Sequence, residues 1–503
     1  MNHRNFIQMK TLKTISVNYM IYLICMVLVS SCVPDLELDR LDQQSVNAYY
    51  KTASDANAAA IGLYGLVRDM YRDETINVPN IVAADDGIPF LTGNADRVAL
   101  WNYNITPTNT FIGGIWASAY TGIQRSNVVL NRVPPIAMDE TLKNQYLGEA
   151  LFLRALHYFN LVRFYGDVPI VLDEVTSLEN VEVPRSSLEE VYQQIETDLT
   201  QAIAQLPSTY TGSDVGRATK GAATGLLAKV YLTRAGNDAN SPYWEKAAQQ
   251  AKAVIDMGIY DLWENYSQVF ALENRGGKES VFEVEYVTDL TGNNFTTGYA
   301  PRGSAIVPGS GSGILRVSKD LFDTFEDQDS RKAVTFLTSY TNPSNGALVQ
   351  LSVDNTDPAL AVSFWKLADL TSTIGGAGGK SFPLLRYSDI LLIYAEALNE
   401  ANGGPTAAAY EAINKVRNRA KLKPLSGLDK AAFKTAVLAE RRKEFCFEGN
   451  RWFDLARTGQ LVEAVKNENS FGRNAVIQDF NTRFPIPQRE MDVNSSLVQN
   501  EGY

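Results

Sequence analysis

Histidine and cysteine are almost absent from this chain of 503 residues, which contains two histidines and three cysteines. Outside the first few residues the only histidine is His157, so catalysis by a histidine base is nearly excluded. His157 lies in an otherwise apolar helical pattern, and we expect a packed or capping side chain. The neighbours of Cys446, in EFCFEG, predict a buried structural thiol and not a nucleophile.

Positive charge is also scarce, with 46 basic against 57 acidic residues and a formal net charge of −11. Residues 1–31 hold three of the basic residues and no acid, so the chain without them carries a charge of −14. An acidic chain that has no basic tract is an unlikely partner for nucleic acid. With 45% hydrophobic and 20% charged residues, the composition is typical of a globular protein.

The apolar run Met20–Val29 is too short for a comfortable membrane span and follows a basic segment, which is the pattern of an export signal. It ends in Val29-Ser30-Ser31-Cys32, which resembles a bacterial lipobox. We therefore predict a lipoprotein signal peptide over residues 1–31, an acylated Cys32 and a tether over residues 32–55; the alternative is a plain signal peptide. Each buried CH₂ of an acyl chain adds roughly 0.8 kcal/mol to membrane binding. Three acidic residues shortly after Cys32 resemble a surface-export signal.

The strongest helical pattern lies in residues 149–171, EALFLRALHYFNLVRFYGDVPIV. Apolar residues recur on more than one side of this helix, so we expect neighbouring elements to cover most of its circumference. Asp139 is placed to cap the first turn, and Gly166 is placed to end the helix. Its few polar side chains are interpreted as ties between the helix and nearby loops.

Other segments also show helical patterns, and these lie at 56–71, 116–133, 187–206, 217–234, 244–257, 386–402, 407–420 and 429–446. The pairs 139–206, 217–257 and 386–420 have the spacing of tetratricopeptide-like units. We therefore predict a mainly α fold, an α-α superhelix of helix pairs with an irregular, loop-rich and partly β lobe.

The irregular lobe is predicted from three segments of different character. VFEVEYV at 281–287 alternates as a strand does, whereas 75–114 and 288–312 are rich in Gly, Pro, Asn and Thr and are predicted as long loops. Loops of that length inside a compact protein are usually functional or disordered.

Six segments in sequence order resemble the SusD/RagB family of outer-membrane nutrient-binding lipoproteins, and these are GEALFLRALHYFNLVRFYGDVPIV, RATKGAATGLLAKVYL, PLLRYSDILLIYAEALNE, INKVRNRAKL, ERRKEFCFEGNRWFDLAR and FPIPQREMDVNSSLVQNEGY. One departure is Asn494-Ser495-Ser496, where relatives commonly have a proline. The resemblance implies four tetratricopeptide-like units in a lid over a SusC-like TonB-dependent transporter. It divides the mature chain into an N-terminal helical region at 56–260 and a C-terminal region at 261–503. Most relatives bind glycans and some bind peptides, but the family motifs are scaffold motifs and assign no ligand residues here.

Aromatic and polar residues on the predicted loops are the candidates for ligand binding, because sugar rings stack on aromatic faces and hydroxyl groups bond to Asn, Asp and Arg. The predicted contacts are Asp86, Arg97, Trp101, Tyr103, Asn104, Asn294, Tyr299, Arg302 and Trp365. A stacked ring that buries about 80 Å² contributes roughly 2 kcal/mol. Two or three such contacts, less the cost of association, predict affinities on the order of micromolar to millimolar.

Catalytic and phosphate-binding patterns are weak by comparison. Two carboxylates flanking a cleft would suit a glycosidase, and the adjacent Asp85 and Asp86, or Glu283 and Glu285 on one strand face, are candidates for such a pair. Solvated strand faces look the same in sequence. GGAGGKS at 375–381 lacks the first glycine of a phosphate loop. Glutamates at 440, 444 and 448 are interpreted as helix-surface or inter-helix ion pairs.

We therefore predict a lipid-anchored protein of the outer membrane, facing the cell exterior, that binds an oligosaccharide without cleaving it. Its predicted partners are that oligosaccharide, a SusC-like TonB-dependent transporter and the membrane, with no cofactor and no metal ligand set. The alternatives are a peptide-binding relative, a glycoside hydrolase, and a helical-repeat adaptor that binds only the transporter.

Overall fold

Helices make up about half of the structure. A computed structural model of the chain describes residues 49–72, 74–176, 182–468 and 470–503, and it is 51% helical. The predicted mainly α fold is thereby confirmed. The predicted signal peptide and Cys32 lie outside the described residues.

The helices are α1 (Ala53–Arg72), α2 (Glu74–Val82), α3 (Ala95–Asn102), α4 (Thr110–Arg132), α5 (Glu140–Tyr165), α6 (Leu188–Gln205), α7 (Lys220–Ala235), α8 (Tyr243–Asp256), α9 (Phe295–Tyr299), α10 (Lys319–Asp323), α11 (Lys332–Thr335), α12 (Tyr387–Ala401), α13 (Ala407–Arg419), α14 (Lys430–Glu444), α15 (Arg451–Arg457), α16 (Leu461–Asn467) and α17 (Gln488–Val493). The strands are β1 (Gly87–Pro89), β2 (Ser280–Val284), β3 (Leu315–Val317), β4 (Phe336–Leu337), β5 (Ser339–Thr341), β6 (Leu348–Gln350), β7 (Ser363–Phe364) and β8 (Phe382–Arg386).

Consecutive helices pack against each other in the three places where the sequence predicts helix pairs. α5 packs along α6, α7 along α8, and α12 along α13. Helix α8 also packs against α12, so the second and third pairs are neighbours in space although they are distant in sequence. The arrangement of these pairs as a superhelix of four tetratricopeptide-like units stays a prediction.

The ends of the two long central helices follow from their capping residues. Asp139 accepts a hydrogen bond from the backbone N–H of Leu142 at 3.0 Å, and Gly166 follows α5 with φ of +76°. At the start of α6, the Ser187 hydroxyl accepts from the N–H of Glu190, whose carboxylate accepts from the N–H of Ser187. Each contact satisfies a backbone group that the helix itself leaves unpaired.

His157 lies in the interior of α5 and is 1% exposed. Its Nε2 faces Gly122 of α4 so closely that a Cβ at that glycine would lie 2.1 Å from it. Nδ1 has no hydrogen-bond partner, and burial lowers the pKa of the imidazole to about 4. The ring is therefore neutral at physiological pH, and its predicted packing role is confirmed.

A network of buried charges holds α14 inside the C-terminal part of the fold. Glu440, Glu444 and Glu448 are all buried, so the prediction of helix-surface ion pairs is wrong and the inter-helix alternative holds. Glu444 pairs with Arg331 at 3.1 Å and with Arg386 at 2.8 Å. Burial raises the pKa of Glu444, but the neighbouring guanidinium groups outweigh that effect and hold it well below its usual range.

Segment 75–114, which the sequence predicts as a long loop, contains α2, β1, α3 and the first turn of α4. The Asn94 side chain accepts a hydrogen bond from the N–H of Arg97 at 3.0 Å and so begins α3. Tyr103 ends that helix with φ of +60°. The prediction was wrong because the elements are short and the turn residues between them dominate the pattern.

The strands pair, in the part of the chain that the structure describes, as four antiparallel sheets of two strands each. β1 pairs with β3 and places Ile88 opposite Arg316, and β2 pairs with β8 and places Glu283 opposite Pro383. The predicted strand at 281–287 is present but ends at Val284. The β1–β3 pair is the one that brings the two predicted ligand loops together.

Residues Lys51–Tyr503 form one compact unit. The predicted boundary between residues 260 and 261 falls within this unit and stays a prediction. Among the described residues, no helix combines the length and the apolar character that crossing a membrane requires.

Candidate functional site

Five of the predicted ligand contacts are buried, and for these residues the structure corrects the prediction. The exposed fractions are 2% for Asp86, 7% for Arg97, 3% for Trp101, 4% for Tyr103 and 2% for Tyr299. A sugar ring needs an accessible aromatic face, and its hydroxyl groups need accessible polar side chains. These five buried residues offer neither. They became candidates because short helices were interpreted as loops, and the apolar faces of those helices turn inward.

Each of these buried side chains has a partner inside the protein. Asp86 forms an ion pair with Arg442 at 2.8 Å, and Arg97 forms one with Glu74. The Tyr103 hydroxyl donates to the carbonyl of Ala83. The Trp101 ring lies 5.2 Å from the Arg473 guanidinium, and the Tyr299 ring lies 4.5 Å from the ring of Phe447. We therefore assign all five to the scaffold.

The other four predicted contacts lie at or near the surface. Asn104 and Arg302 are exposed, and Asn294 and Trp365 are half-buried. The backbone N–H of Trp365 donates to the carbonyl of Thr335 at 2.7 Å, which places it beside α11. Of the four, Arg302 is the one that contacts another accessible aromatic residue.

Arg302 and Phe90 form the first half of the candidate site. The Arg302 guanidinium lies 4.4 Å from the centroid of the Phe90 ring, and that ring is half-buried. Phe90 follows β1, and its N–H donates to the carbonyl of Ile314 at 3.2 Å, which extends the β1–β3 pair by one residue. The two predicted ligand loops therefore meet at this stacked pair.

Arg316 and Phe471 form the second half. The Arg316 guanidinium lies 4.2 Å from the centroid of the half-buried Phe471 ring. Residues 88 and 90 lie on one face of β1, and residues 314 and 316 lie on the matching face of β3, because side chains alternate along a strand. Both pairs therefore belong to one surface. We call Phe90, Arg302, Arg316 and Phe471 the Phe–Arg face.

The turn at residues 355–358 joins the two halves of the Phe–Arg face. The backbone N–H of Arg302 donates to the carbonyl of Pro358 at 3.0 Å. Nη1 of Arg316 donates to the carbonyl of Thr356 at 2.9 Å. Both arginines are thus positioned by backbone oxygen atoms of the same turn, which carry no full negative charge.

Sequence reasoning missed three members of this face. Phe90 and Phe471 each stand alone between turn residues, in PFLTG and NSFGR, and give no periodic signal. Arg316 gives one signal in the sequence, because it is a charged residue within the apolar run ILRV. A charged side chain within a short apolar strand points to either a buried ion pair or a site.

Two aspartates, Asp289 and Asp369, hold the neighbouring loops in place through hydrogen bonds. Asp289 accepts hydrogen bonds from the backbone N–H groups of Thr373 and Ile374 and from the hydroxyl of Ser372. Hydrogen bonds, first that of the Thr373 hydroxyl, lower the pKa of Asp289 to about 2. Asp369 accepts from the N–H of Gly379 at 2.7 Å. The predicted irregular stretch 288–312 is therefore irregular but densely bonded, with α9 as its only helix.

The run GGAGGKS has no phosphate-binding geometry. Its backbone N–H groups are taken within the protein, since that of Gly376 donates to the Thr297 hydroxyl at 2.9 Å and that of Gly378 to the Asn293 carbonyl at 3.0 Å. A phosphate cradle needs such groups free to face the anion. The glycines instead allow close loop packing, because a Cβ at Gly292 would lie 2.3 Å from the backbone of Ala377.

Of Glu283 and Glu285, the carboxylate pair considered for a glycosidase, Glu283 lines a cavity of about 260 Å³. Glu283 also accepts a hydrogen bond from the N–H of Gly276 at 2.8 Å. Burial and then the neighbouring Glu283 raise the pKa of Glu285 to about 7. Within the described residues, no group of three or more His, Cys, Asp or Glu side chains is placed to hold a metal ion.

Two family models match the chain. The model described as the SusD family matches residues 339–503, and the model described as starch-binding and associating with the outer membrane matches residues 39–232. Together they cover both ends of the described structure. This agrees with the order of the six segments that carry the resemblance.

Individual relatives match along nearly their whole length. SusD-like protein P2 of Formosa agariphila is 27% identical, over 96% of this chain and 99% of the relative. The starch-binding protein SusD of Bacteroides thetaiotaomicron is 22% identical, over 94% of this chain and 96% of its own.

Solved structures show the same similarity. A laminarin-binding SusD-like protein superposes with a TM-score of 0.77 at 28% identity, covering 90% of this chain and 100% of its own. A SusD homologue from Bacteroides thetaiotaomicron superposes with a TM-score of 0.80 at 27% identity, covering 92% and 99%.

Proposed function

Because the chain belongs to the SusD family, we propose that it captures an oligosaccharide at the outer surface of the outer membrane and delivers it to a SusC-like TonB-dependent transporter. The observation that carries this proposal is the match, over nearly the whole chain, to a solved protein that binds laminarin. The protein performs no chemistry on the glycan. It binds the glycan and then releases it to the transporter.

The glycan binds at the Phe–Arg face, with Asn104, Asn294 and Trp365 as further contacts. Phe90 and Phe471 are half-buried, and the accessible part of each ring is where we expect the C–H groups of a sugar ring to pack. The exposed guanidinium of Arg302 reaches hydroxyl groups beside the Phe90 ring. One stacked ring contributes roughly 2 kcal/mol, so the whole site holds a glycan with a Kd on the order of micromolar to millimolar.

The lipid anchor is attached at Cys32, which makes the protein a permanent component of the membrane surface. Metabolic labelling with an alkyne fatty acid tests this, and Cys32→Ser is expected to lose both the label and sedimentation with membranes. A Cys446→Ser variant is the matched control and is expected to keep the label. Labelling of the Cys32→Ser protein would overturn the assignment.

Delivery to the transporter predicts a physical complex. Co-purification of the full chain with a TonB-dependent transporter from outer membranes tests this directly. Loss of glycan import on deletion of the protein, restored by the wild-type chain and not by Phe90→Ala, separates capture from mere docking. Import restored equally by both chains would favour an adaptor that binds only the transporter.

Glycan binding itself is tested by affinity electrophoresis and calorimetry of the full chain against a panel of glycans and peptides. Saturable binding of a glycan, with the polymer recovered intact, is the expected result. Binding of peptides and of no glycan would replace the proposal with a peptide-capture function. Shortened products that disappear in Glu285→Gln would instead identify a hydrolase, since Glu285 has the near-neutral pKa that a general acid needs.

A further inference from the structure

Arg316 differs from every other buried arginine of the described chain. It is 4% exposed, and no carboxylate forms an ion pair with it. The other buried arginines all form such pairs, and these are Arg97, Arg154, Arg217, Arg331, Arg386, Arg419, Arg441 and Arg473. An unpaired charge in the interior is costly, so this position calls for an explanation that the fold alone does not supply.

The donors of Arg316 are only partly used. Nη1 donates to the carbonyls of Asn355 and Thr356, at 3.4 Å and 2.9 Å, whereas Nε has no partner. Phe471 covers the guanidinium from a left-handed backbone conformation with φ of +53°, which a bulky residue rarely adopts. Burial lowers the pKa of Arg316, and no acid opposes that effect.

Arg302 repeats this pattern at the surface. It is exposed, it forms no ion pair, and its one side-chain hydrogen bond is a contact of 3.3 Å from Nη1 to the carbonyl of Ser312. The connecting turn contains two exposed acids, Asp354 and Asp357. Asp357 accepts a hydrogen bond from the N–H of Ala359 in its own turn, and neither acid forms an ion pair with Arg302 or Arg316. Within the described residues, the Phe–Arg face therefore carries two positive charges, and no carboxylate forms an ion pair with either of them.

We propose that the ligand of the Phe–Arg face is an anionic glycan, one whose sugar rings carry carboxylate or sulfate groups, with Arg302 as the direct contact to the anion. This proposal rests on the proposed function and names its substrate class. Guanidinium groups bind carboxylates and sulfates through paired hydrogen bonds, while the Phe90 ring packs against the sugar beside the anion. Arg316 adds positive potential from beneath the face and is a positioning residue.

The acidity of the protein as a whole does not oppose this assignment. The net charge of −11 is spread over 503 residues, and at physiological salt charges more than about 8 Å apart are largely screened. The anionic group of a sugar that packs against Phe90 lies within a few ångströms of the Arg302 guanidinium, which is 4.4 Å from the ring centroid. The local pair of positive charges therefore dominates once the glycan is close, and affinity falls as salt is raised.

Calorimetry of the full chain with oligosaccharides of matched length tests the proposal in three arms. These are uronic acid oligomers, sulfated oligomers, and neutral gluco-oligosaccharides such as laminari-oligosaccharides. We expect one of the acidic arms to bind at least tenfold more tightly than the neutral arm at low salt, and to weaken as salt is raised. The arm that binds tells a carboxylate ligand from a sulfate ligand.

Variants then assign the preference to the face. Arg302→Gln is expected to weaken acidic-glycan binding roughly tenfold more than it weakens neutral-glycan binding, which loses only hydrogen bonds to hydroxyl groups. Arg125→Gln is the control. It removes an exposed arginine from α4, a helix that is not part of the Phe–Arg face, and it is expected to change neither acidic-glycan nor neutral-glycan binding. Arg316→Lys is used in place of Arg316→Gln because it keeps the buried positive charge, and it is expected to retain the acidic preference; a folded Arg316→Lys protein without that preference would overturn the role of the Arg316 charge.

The outcomes separate this proposal from the proposed function. Neutral glycans that bind as tightly as acidic ones would overturn the anionic assignment and leave glycan capture standing. Acidic binding that survives Arg302→Gln without loss would overturn the assignment of Arg302. Binding of acidic peptides and of no glycan would overturn both the substrate class and the capture of glycans.

Discussion

Around α14 the buried arginines face carboxylates, whereas on the Phe–Arg face Arg302 and Arg316 face phenylalanine rings and backbone carbonyls. In the first region the charges neutralise one another and hold helices together. In the second they remain uncompensated next to solvent-accessible rings. The first set of charges serves the fold, and the second set is the one we propose for ligand binding, so on that proposal stability and binding can be altered separately.

The largest effect on stability is expected from removing a carboxylate of the buried ion-pair network around α14. Glu444→Gln leaves Arg331, Arg386 and Arg419 short of one buried negative charge, and it should lower the free energy of unfolding by about 3–5 kcal/mol. Chemical denaturation followed by circular dichroism measures this. Glu140→Gln, at an exposed pair with Lys143, is the matched control and should cost less than about 1 kcal/mol. Equal losses in the two variants would show that burial of the network contributes nothing.

Two aromatic residues extend the comparison, because Trp101 is buried in the scaffold and Phe90 lies on the Phe–Arg face. Trp101→Ala empties a buried site and should lower the free energy of unfolding by about 3–5 kcal/mol. Phe90→Ala, at a half-buried ring, should cost less than that and instead weaken glycan binding by roughly tenfold. Thermal unfolding and calorimetry on both variants separate the effects. A stable Trp101→Ala protein with lost binding would reverse the assignments.

His157 allows a pH test of the buried scaffold, because its ring is packed between α5 and α4. Its pKa is about 4 in the folded protein and about 6.5 in an unfolded chain, so between these values only the unfolded state takes up the proton. Stability contributed by the neutral ring is therefore complete above pH 6.5 and is lost as the pH falls toward 4, by about 3 kcal/mol. Denaturation at a series of pH values measures it. His157→Leu should show a shallower fall over this window, and an unchanged slope would contradict the buried neutral ring.

The smallest effect comes from two glycines of the same helix, α4. Gly122→Ala forces a Cβ to within 2.1 Å of His157 and should destabilise the protein by about 1–3 kcal/mol. Gly113→Ala has no atom within 4 Å of its new Cβ and should stabilise the helix by about 0.5–1 kcal/mol. Melting temperatures that move in opposite directions are the expected result. A shift of the same sign for both would mean that the contact with His157 relaxes freely.

The helical scaffold could be predicted because its signals are local. The cap at Asp139, the capping box at Ser187 and the apolar faces of α5 all lie within a few residues of the feature they predict. The burial of the glutamates of α14 was harder to predict, because their spacing in the sequence fits a surface helix as well as an interior one. Only the arginines that α11, α12 and α13 bring to them decide between the two.

The candidate site could not be predicted in the same way, because no local pattern joins Phe90, Arg316 and Phe471. Their proximity depends on the pairing of β1 with β3 and on a turn near the C-terminus, between segments far apart in the sequence. Composition did point to both loops that meet at the Phe–Arg face, and Arg302 became a candidate by that route; its contact with a ligand stays a prediction. Trp101 and Tyr103 were assigned wrongly because an aromatic residue in a short buried helix looks the same, in sequence, as one on a loop.

On the proposed function, the bonds that Asp289 and Asp369 make with neighbouring loops have a consequence for the kinetics of glycan capture. Loops that are already held in place lose little conformational entropy when a ligand binds, so the encounter needs no slow rearrangement. Association is then expected to approach the rate of diffusion, and a weak Kd means a short residence time. We therefore expect rapid exchange of bound glycan.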